Sequence, residues 1–258
     1  MSSTAVRLRP RAVAAIGLTS VVGLLAFLWP LVVTPGSGLS HGGDAPLVFA
    51  AVLVGVLAVV LAEVGDGGLD TKAIAMLGVL SAVGAALRPL GGGTAGLETV
   101  FFLLILSGRV LGPGFGFVLG STTLAASALI TAGVGPWLPF QMLAASWVGM
   151  GAGLLPRVRG AAEIALLCGY GVVTGLLYGV ALNFSFWPFT VQGEAALGFV
   201  AGDPVADNLR RFLTFSLATS LAWDLGRAIT NAVLIAITGR AVLGALRRAA
   251  RRASFSRS

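Results

Sequence analysis

The chain has 258 residues, 57% of them hydrophobic and only 10% charged, with a mean hydropathy of +0.95 and a net charge of +7. A soluble domain carries about 25% charged residues, so this composition cannot clothe a water-soluble globule, whereas a surface facing lipid needs no charge. The basic balance does not indicate a nucleic-acid binder, because the arginines stand at the ends of apolar runs and no soluble basic domain exists to hold a duplex. The lone Cys168 excludes a disulfide framework and a Cys-rich metal site. The single His41 excludes a two-histidine metal site or a Ser–His dyad within one chain.

A membrane-spanning helix needs roughly 20 predominantly apolar residues. In chain order the apolar runs predict spans at about 12–33, 47–64, 72–88, 96–112, 115–134, 137–155, 161–182 and 212–238. The first follows Arg7, Arg9 and Arg11, but it exceeds a signal-peptide core and no A-x-A-like cleavage site follows it. It therefore reads as a retained span. The fourth and fifth meet at Leu111-Gly112-Pro113-Gly114, so their division rests on one turn; seven spans or a re-entrant pair is the alternative to eight.

Between the fifth and sixth spans, Gly133 to Gln141 forms an outside turn with two prolines, Trp137 and Phe140. The longest outside loop, about 183–211, contains Asn183-Phe184-Ser185-Phe186-Trp187-Pro188-Phe189. Aromatics of this kind anchor a chain at the bilayer interface; the other reading is a lid over a ligand.

Orientation follows from the Lys/Arg asymmetry. With the N-terminus inside, thirteen basic residues fall in cytoplasmic segments, among them Lys72, Arg109, Arg157, Arg159 and the tail from Arg240 to Arg257, against Arg88, Arg210 and Arg211 outside. The expectation is a multi-pass plasma-membrane protein with both termini in the cytoplasm.

The last predicted span holds Asp224 and Arg227 near its middle, where each charge costs about 2.5–3.5 kcal/mol. Their i,i+3 spacing lets them pair. On a helical wheel Ser216, Thr219, Ser220, Trp223, Asp224, Arg227, Thr230 and Asn231 fall on one face, an arc of about 140°. Such a stripe must face protein or a water-filled cavity, either as an ion pair that fixes packing or as a ligand site. No catalytic constellation accompanies it. Glu98 and Glu163 stand alone in sequence, and no G-x-S-x-G, H-E-x-x-H or P-loop pattern is present. The expectation is a protein that is not an enzyme, holds no cofactor or metal, and does not hydrolyse ATP itself.

Small residues let helices approach closely in lipid. Gly108, Gly112, Gly116 and Gly120 recur every four residues, as do Gly171, Gly175 and Gly179, and packing within the chain is their default reading. Gly78, Ala82 and Ala86 repeat the pattern on the third span and suit either an internal neighbour or a partner subunit.

Three segments resemble the S components of energy-coupling factor transporters, small membrane proteins that bind a vitamin and work with a second membrane subunit and two cytoplasmic ATPases. Ala73 to Arg88 resembles the family's first core helix, which docks to the membrane partner. Leu106 to Gly120 resembles its G-x-x-x-G-P-x-x-G-x-x-x-G crossing. Asp224-Leu225-Gly226-Arg227-Ala228 resembles the D-x-x-K-A of its last helix, with Arg227 in place of the usual Lys, a planar fork suited to a carboxylate or phosphate. The resemblance implies an all-α membrane protein with a six-helix substrate-binding core over 72–240. It leaves an extra transmembrane hairpin at 1–71 and a basic tail at 241–258.

The resemblance further implies that the chain captures a vitamin for an ATP-driven importer. Asp224, Arg227 and Asn231 would form the site, surrounded by Arg88, Glu98, Trp137, Gln141, Asn183 and Trp187, with Gly78, Ala82 and Ala86 docking the partner. The overall look of the outside loops resembles members assigned to a corrinoid such as cobalamin. The rival reading is a stand-alone secondary transporter using Asp224 and Arg227 as an ion or proton relay, which an inverted repeat with Gly/Pro-broken spans in both halves would favour.

Overall fold

Runs of Leu, Val, Ala and Ile interrupted by Gly-Pro, Arg-Pro and Gly-rich turns give helices separated by short connections, and the computed structural model bears this out. It describes residues 9–31, 45–65, 71–91, 94–191 and 196–254. Every regular element among these residues is helical: α1 (Pro10–Leu28), α2 (Ala45–Gly65), α3 (Thr71–Leu87), α4 (Phe101–Leu111), α5 (Pro113–Ile130), α6 (Leu138–Leu154), α7 (Ala161–Thr190), α8 (Val205–Thr219) and α9 (Leu221–Ser254). Short 3-10 turns extend α1 through Leu31 and α3 through Gly91. Five of these runs are long and apolar enough to cross a membrane: Pro10–Leu31, Thr71–Gly91, Pro113–Ile130, Ala161–Pro188 and Leu221–Arg252. The chain is a helical membrane protein. Arg7, His41 and Arg257 lie outside the described residues.

Helices α4, α5 and α6 form the centre. Leu104, Ile105, Leu106, Phe115, Phe117 and Phe140 are fully buried there. Gly108 and Gly116 both face the Gly149 backbone so closely that a Cβ on either would strike its carbonyl oxygen, and Gly120 abuts Ala145 and Ser146 in the same way. Without a hydrophobic force between helices in lipid, such backbone contact is what holds them. Helix α3 lies on α5 through Gly84 and a Ser81–Thr122 hydroxyl contact of 2.8 Å. The N-terminal helices attach at the side: Thr19 donates to the Gly55 carbonyl at 2.9 Å, and Trp147 Nε1 of α6 donates to Ser20 Oγ at 2.9 Å.

Helix ends sort into two sets. One end gathers the end of α3, the α4 lead-in, the α5–α6 turn and the start of α9, around Arg88, Glu98, Trp137 and Trp223. The other gathers the end of α4, the start of α7 and the far part of α9, where Arg109, Glu163 and Arg247 meet.

Four expectations are corrected. The run 212–238 is not one helix: α8 ends at Thr219, Ser220 takes φ −121° and ψ −19°, and α9 starts at Leu221. Asp224 and Arg227 therefore occupy the first two turns of α9 rather than mid-helix, and Ser216 and Thr219 belong to another helix. The segment 183–211 is not mainly loop, because α7 continues to Thr190 through Pro188 and α8 begins at Val205. The predicted span 96–112 contains only the eleven helical residues of α4, about 17 Å long, against a hydrocarbon core of about 30 Å. Its lead-in is not helical: Gly96 and Val100 are buried while Leu97 is exposed. The division of α4 from α5 is real, since Gly112 at φ 99° and ψ 169° reverses the chain in one residue that an L side chain would strain.

Helix α8 buries Asn208, Phe212 and Phe215 and exposes Val205, Leu209, Leu213 and Leu217 in one stripe. An apolar stripe beside Arg210 and Arg211 suits a helix lying in the bilayer interface. Helix α9 runs unbroken across 240, so the basic tail continues that helix as far as Ser254.

Candidate functional site

The start of α9 is positioned by two close approaches. On one side the 94–100 segment makes a left-handed turn, Ala95 at φ 47° and Gly96 at φ 76°. Gly96 lies so close to the Trp223 carbonyl, and Gly226 to the Ala95 carbonyl, that a Cβ on either would collide. On the other side the α7 glycines form a ladder under α9: Gly179 beneath Asp224, Gly175 beneath Ala228 and Gly171 beneath Asn231. The glycine spacing is explained by this helix pair.

Held between them is a buried ion network. Arg227 donates from Nη1 to Asp224 Oδ1 at 2.8 Å and to the Gly175 carbonyl at 3.0 Å, and from Nη2 to Glu98 Oε1 at 2.9 Å. Its guanidinium stacks 5.0 Å from the centre of the Tyr178 ring, a cation–π contact that adds to the pairing. Asn231 sits one turn deeper and donates to the Gly171 carbonyl at 3.1 Å. Arg227 Nε and Asn231 Oδ1, a donor and an acceptor one turn apart, have no hydrogen-bond partner among the described residues. Leaving both unmade costs about 1–3 kcal/mol each, so this spot suits a bound water.

Above the network is a cavity of about 310 Å³, near the small end of ligand pockets. Glu98 opens into it with its carboxylate held from behind by Arg227. Trp137 and Trp223, 39% and 41% exposed, supply two indole faces. Arg88 supplies a cation that makes no ion pair among the described residues. Its Nη2 donates to the neutral Gln141 Oε1 at 2.9 Å, and its Nη1 makes a longer bond of 3.4 Å to Ser127 Oγ. A guanidinium fork paired only to neutral acceptors keeps its affinity for a carboxylate or phosphate.

The structure thus brings together Arg88, Glu98, Trp137 and Gln141, with Asp224 and Arg227 directly behind and Asn231 deeper still. It does not bring Asn183 or Trp187 to the cavity. Asn183 bonds the α8–α9 junction, donating to Ser216 Oγ and accepting from Ser220 Oγ. Trp187 is fully buried, donates to the Leu197 carbonyl, and packs against Phe199 and Phe212 at 5.5 Å. Sequence reasoning left Trp223 out of the site, though its place beside Asp224 signalled it, and it left out Tyr178, whose role depends on the α7–α9 packing.

At the opposite end, Glu163 is buried with Arg109 Nε at 2.8 Å and Arg247 Nη2 at 2.7 Å. Arg109 also donates to the Leu155 and Val158 carbonyls. No group of three or more His, Cys, Asp or Glu able to hold a metal occurs among the described residues.

Gly78, Ala82 and Ala86 all lie on the exposed face of α3, with open space beyond Gly78. The helix packs internally through Ala73, Leu77, Ser81, Gly84 and Ala85 instead. Compared with protein-family models, curated proteins and solved structures, the chain has no significant match.

Proposed function

We propose that the chain is the substrate-binding membrane subunit of an ATP-driven energy-coupling factor importer. Its substrate is a ring-bearing vitamin or related micronutrient with a carboxylate or phosphate group. The observation that carries this reading is that Arg88, which makes no ion pair among the described residues, lines one cavity together with Glu98 and two indoles. Arg88 takes the anionic group, Trp137 and Trp223 hold the ring, which stacking favours by about 0.5–1.5 kcal/mol per pair, and Glu98 accepts a hydrogen bond from the far side. Asp224 and Arg227 position Glu98. A corrinoid macrocycle is larger than this cavity, so a smaller vitamin fits the reading better.

In this reading α2 and α6 also cross the membrane, and α4 with its lead-in completes a further crossing. That gives eight spans, a six-helix core, cytoplasmic termini in the plasma membrane and a cavity facing outward. The alternation of helix ends described above supports it. Binding proceeds without chemistry, and the energy for uptake comes from a coupling membrane subunit and two cytoplasmic ATPases docked along Gly78, Ala82 and Ala86. The openness of that strip supports the docking role, since close van der Waals contact decides association in lipid.

Affinity purification from native membranes tests this. The expected result is recovery of a second membrane protein with ATP-binding subunits. Ala82→Leu should lose these partners while stability changes by no more than about 0.5 kcal/mol, as for an exposed site. Unimpaired recovery with Ala82→Leu would remove the docking face. Substrate uptake by the chain alone in vesicles, without any ATPase, would overturn the importer reading in favour of a stand-alone transporter.

A further inference from the structure

The 34 residues of α9 make a helix about 51 Å long, against a hydrocarbon core of about 30 Å, so its later turns leave the hydrocarbon. Its buried face carries Asn231, Ile235, Gly239, Leu243 and Leu246, and its exposed face carries Ile229, Val233 and Ile237. These three are 61%, 47% and 75% exposed and lie within the stretch apolar and long enough to cross a membrane, so they meet lipid. At 100° per residue, Arg240, Gly244 and Arg248 continue that exposed face, and all six positions fall within an arc of about 100°. One surface therefore passes from apolar to cationic along the helix.

Gly244 stands one turn from each of the two arginines. A Cβ placed on it would meet only Arg248 Nη1, at 3.4 Å. The Arg248 side chain thus folds back along α9 towards Gly244 and Arg240, and the missing side chain leaves a notch with an arginine a turn before it and a turn after it. No acid answers these charges. The chain has no Asp or Glu after Asp224, and Glu163, which meets α9 at this end, is engaged by Arg109 and Arg247. Arg240 and Arg248 are both exposed and make no ion pair among the described residues.

We propose that the Gly244 notch binds the phosphate of one anionic phospholipid between Arg240 and Arg248, with an acyl chain lying along Ile237, Val233 and Ile229. A guanidinium fork suits phosphate oxygens, and the lack of a side chain at Gly244 gives the phosphate room against the helix. Basic residues where a helix leaves the hydrocarbon attract anionic headgroups. The apolar stripe that leads to the notch makes the bilayer the source of the phosphate. A soluble phosphate ion or an acidic protein surface would use the arginines but has no need of the stripe. Gly244 lies about 10 Å along the helix from Ile237, so headgroup and chain are met in the order in which a lipid presents them.

The test strips the purified full chain of lipid in a neutral detergent and titrates it with phosphatidylglycerol, phosphatidylcholine of the same acyl chains, or inorganic phosphate. Native mass spectrometry counts what is bound. The wild type should hold one phosphatidylglycerol per chain in preference to phosphatidylcholine, and inorganic phosphate should not displace it. Arg240→Gln and Arg248→Gln should each weaken it about fivefold, the worth of one arginine at an anionic surface. Gly244→Leu should weaken it with the charge unchanged, whereas Arg210→Gln, which removes an exposed arginine of α8, should leave it as it is. Equal binding of the two lipids, displacement by inorganic phosphate, unchanged phosphatidylglycerol binding in Gly244→Leu or in the Arg240→Gln/Arg248→Gln double variant, or an equal loss in Arg210→Gln would each overturn the proposal. Loss of a protein partner from the double variant with phosphatidylglycerol binding intact would overturn it in favour of a protein interface.

Discussion

The two ends of the molecule each hold a buried cluster of three charges, and each cluster ties together the same three elements: the α4 segment, α7 and α9. At one end Glu98 and Asp224 flank a single Arg227. At the other Arg109 and Arg247 flank a single Glu163. The first cluster carries one excess formal negative charge and opens through Glu98 into a cavity with two indoles and Arg88, which makes no ion pair among the described residues. The second carries one excess positive charge, has its spare donors bonded to the Leu155 and Val158 carbonyls, and lets Arg247, with its side chain 43% exposed, reach solvent. Buried charge alone therefore does not mark a binding site. The cavity does, together with the Arg88 cation beside it, which is bonded to the neutral Gln141 and Ser127.

The contrast gives an order of effects for unfolding in detergent. Arg227→Met should be the most damaging, because it leaves Asp224 and Glu98 without a counter-charge in a buried setting. Removal of one partner of a buried pair costs about 3–5 kcal/mol. Gly179→Ala should follow at about 3 kcal/mol, since its Cβ would displace the Asp224 carboxylate and force α7 from α9. Glu163→Gln should cost only about 1–2 kcal/mol, because Arg247 can turn to water and Arg109 keeps two carbonyls. An equal loss for Arg227→Met and Glu163→Gln would erase the distinction between the two ends.

Much of the fold was legible in the sequence where hydropathy changes abruptly. Residues 72–88 and 137–155 match α3 and α6 to within a residue or so at each end. The break at Ser220 was not legible, because Ser and Thr neither stop a helix reliably nor interrupt an apolar run. The helical course of Asn183 to Phe189 was hidden by its aromatic run, which reads as an interfacial loop, whereas Trp187 forms a small core with Phe212 and Phe215 against which Phe184 packs. The shortness of α4 was hidden because Gly96 to Val100, despite Glu98 and Thr99, adjoins the apolar run that begins at Phe101 and was read as one span with it.

In the site, Asp224 and Arg227 announced themselves as charges three residues apart. Their link to Glu98 spans 129 positions and exists only because the Ala95–Gly96 turn fits against α9. The Arg109–Glu163–Arg247 cluster was missed for the same reason. Its members are distant in sequence, and the only available signal was that all three charges fall on one predicted side of the membrane.

Mass spectrometry of the small molecule that travels with the purified protein, compared across wild type, Glu163→Gln and Arg88→Gln, tests the cavity most directly. The expected result is the same carboxylate- or phosphate-bearing compound, at about one per chain, in wild type and Glu163→Gln, and its absence from folded Arg88→Gln. Retention of that compound at full occupancy by Arg88→Gln, or its loss from Glu163→Gln as well, would contradict the assignment of this cavity as the binding site.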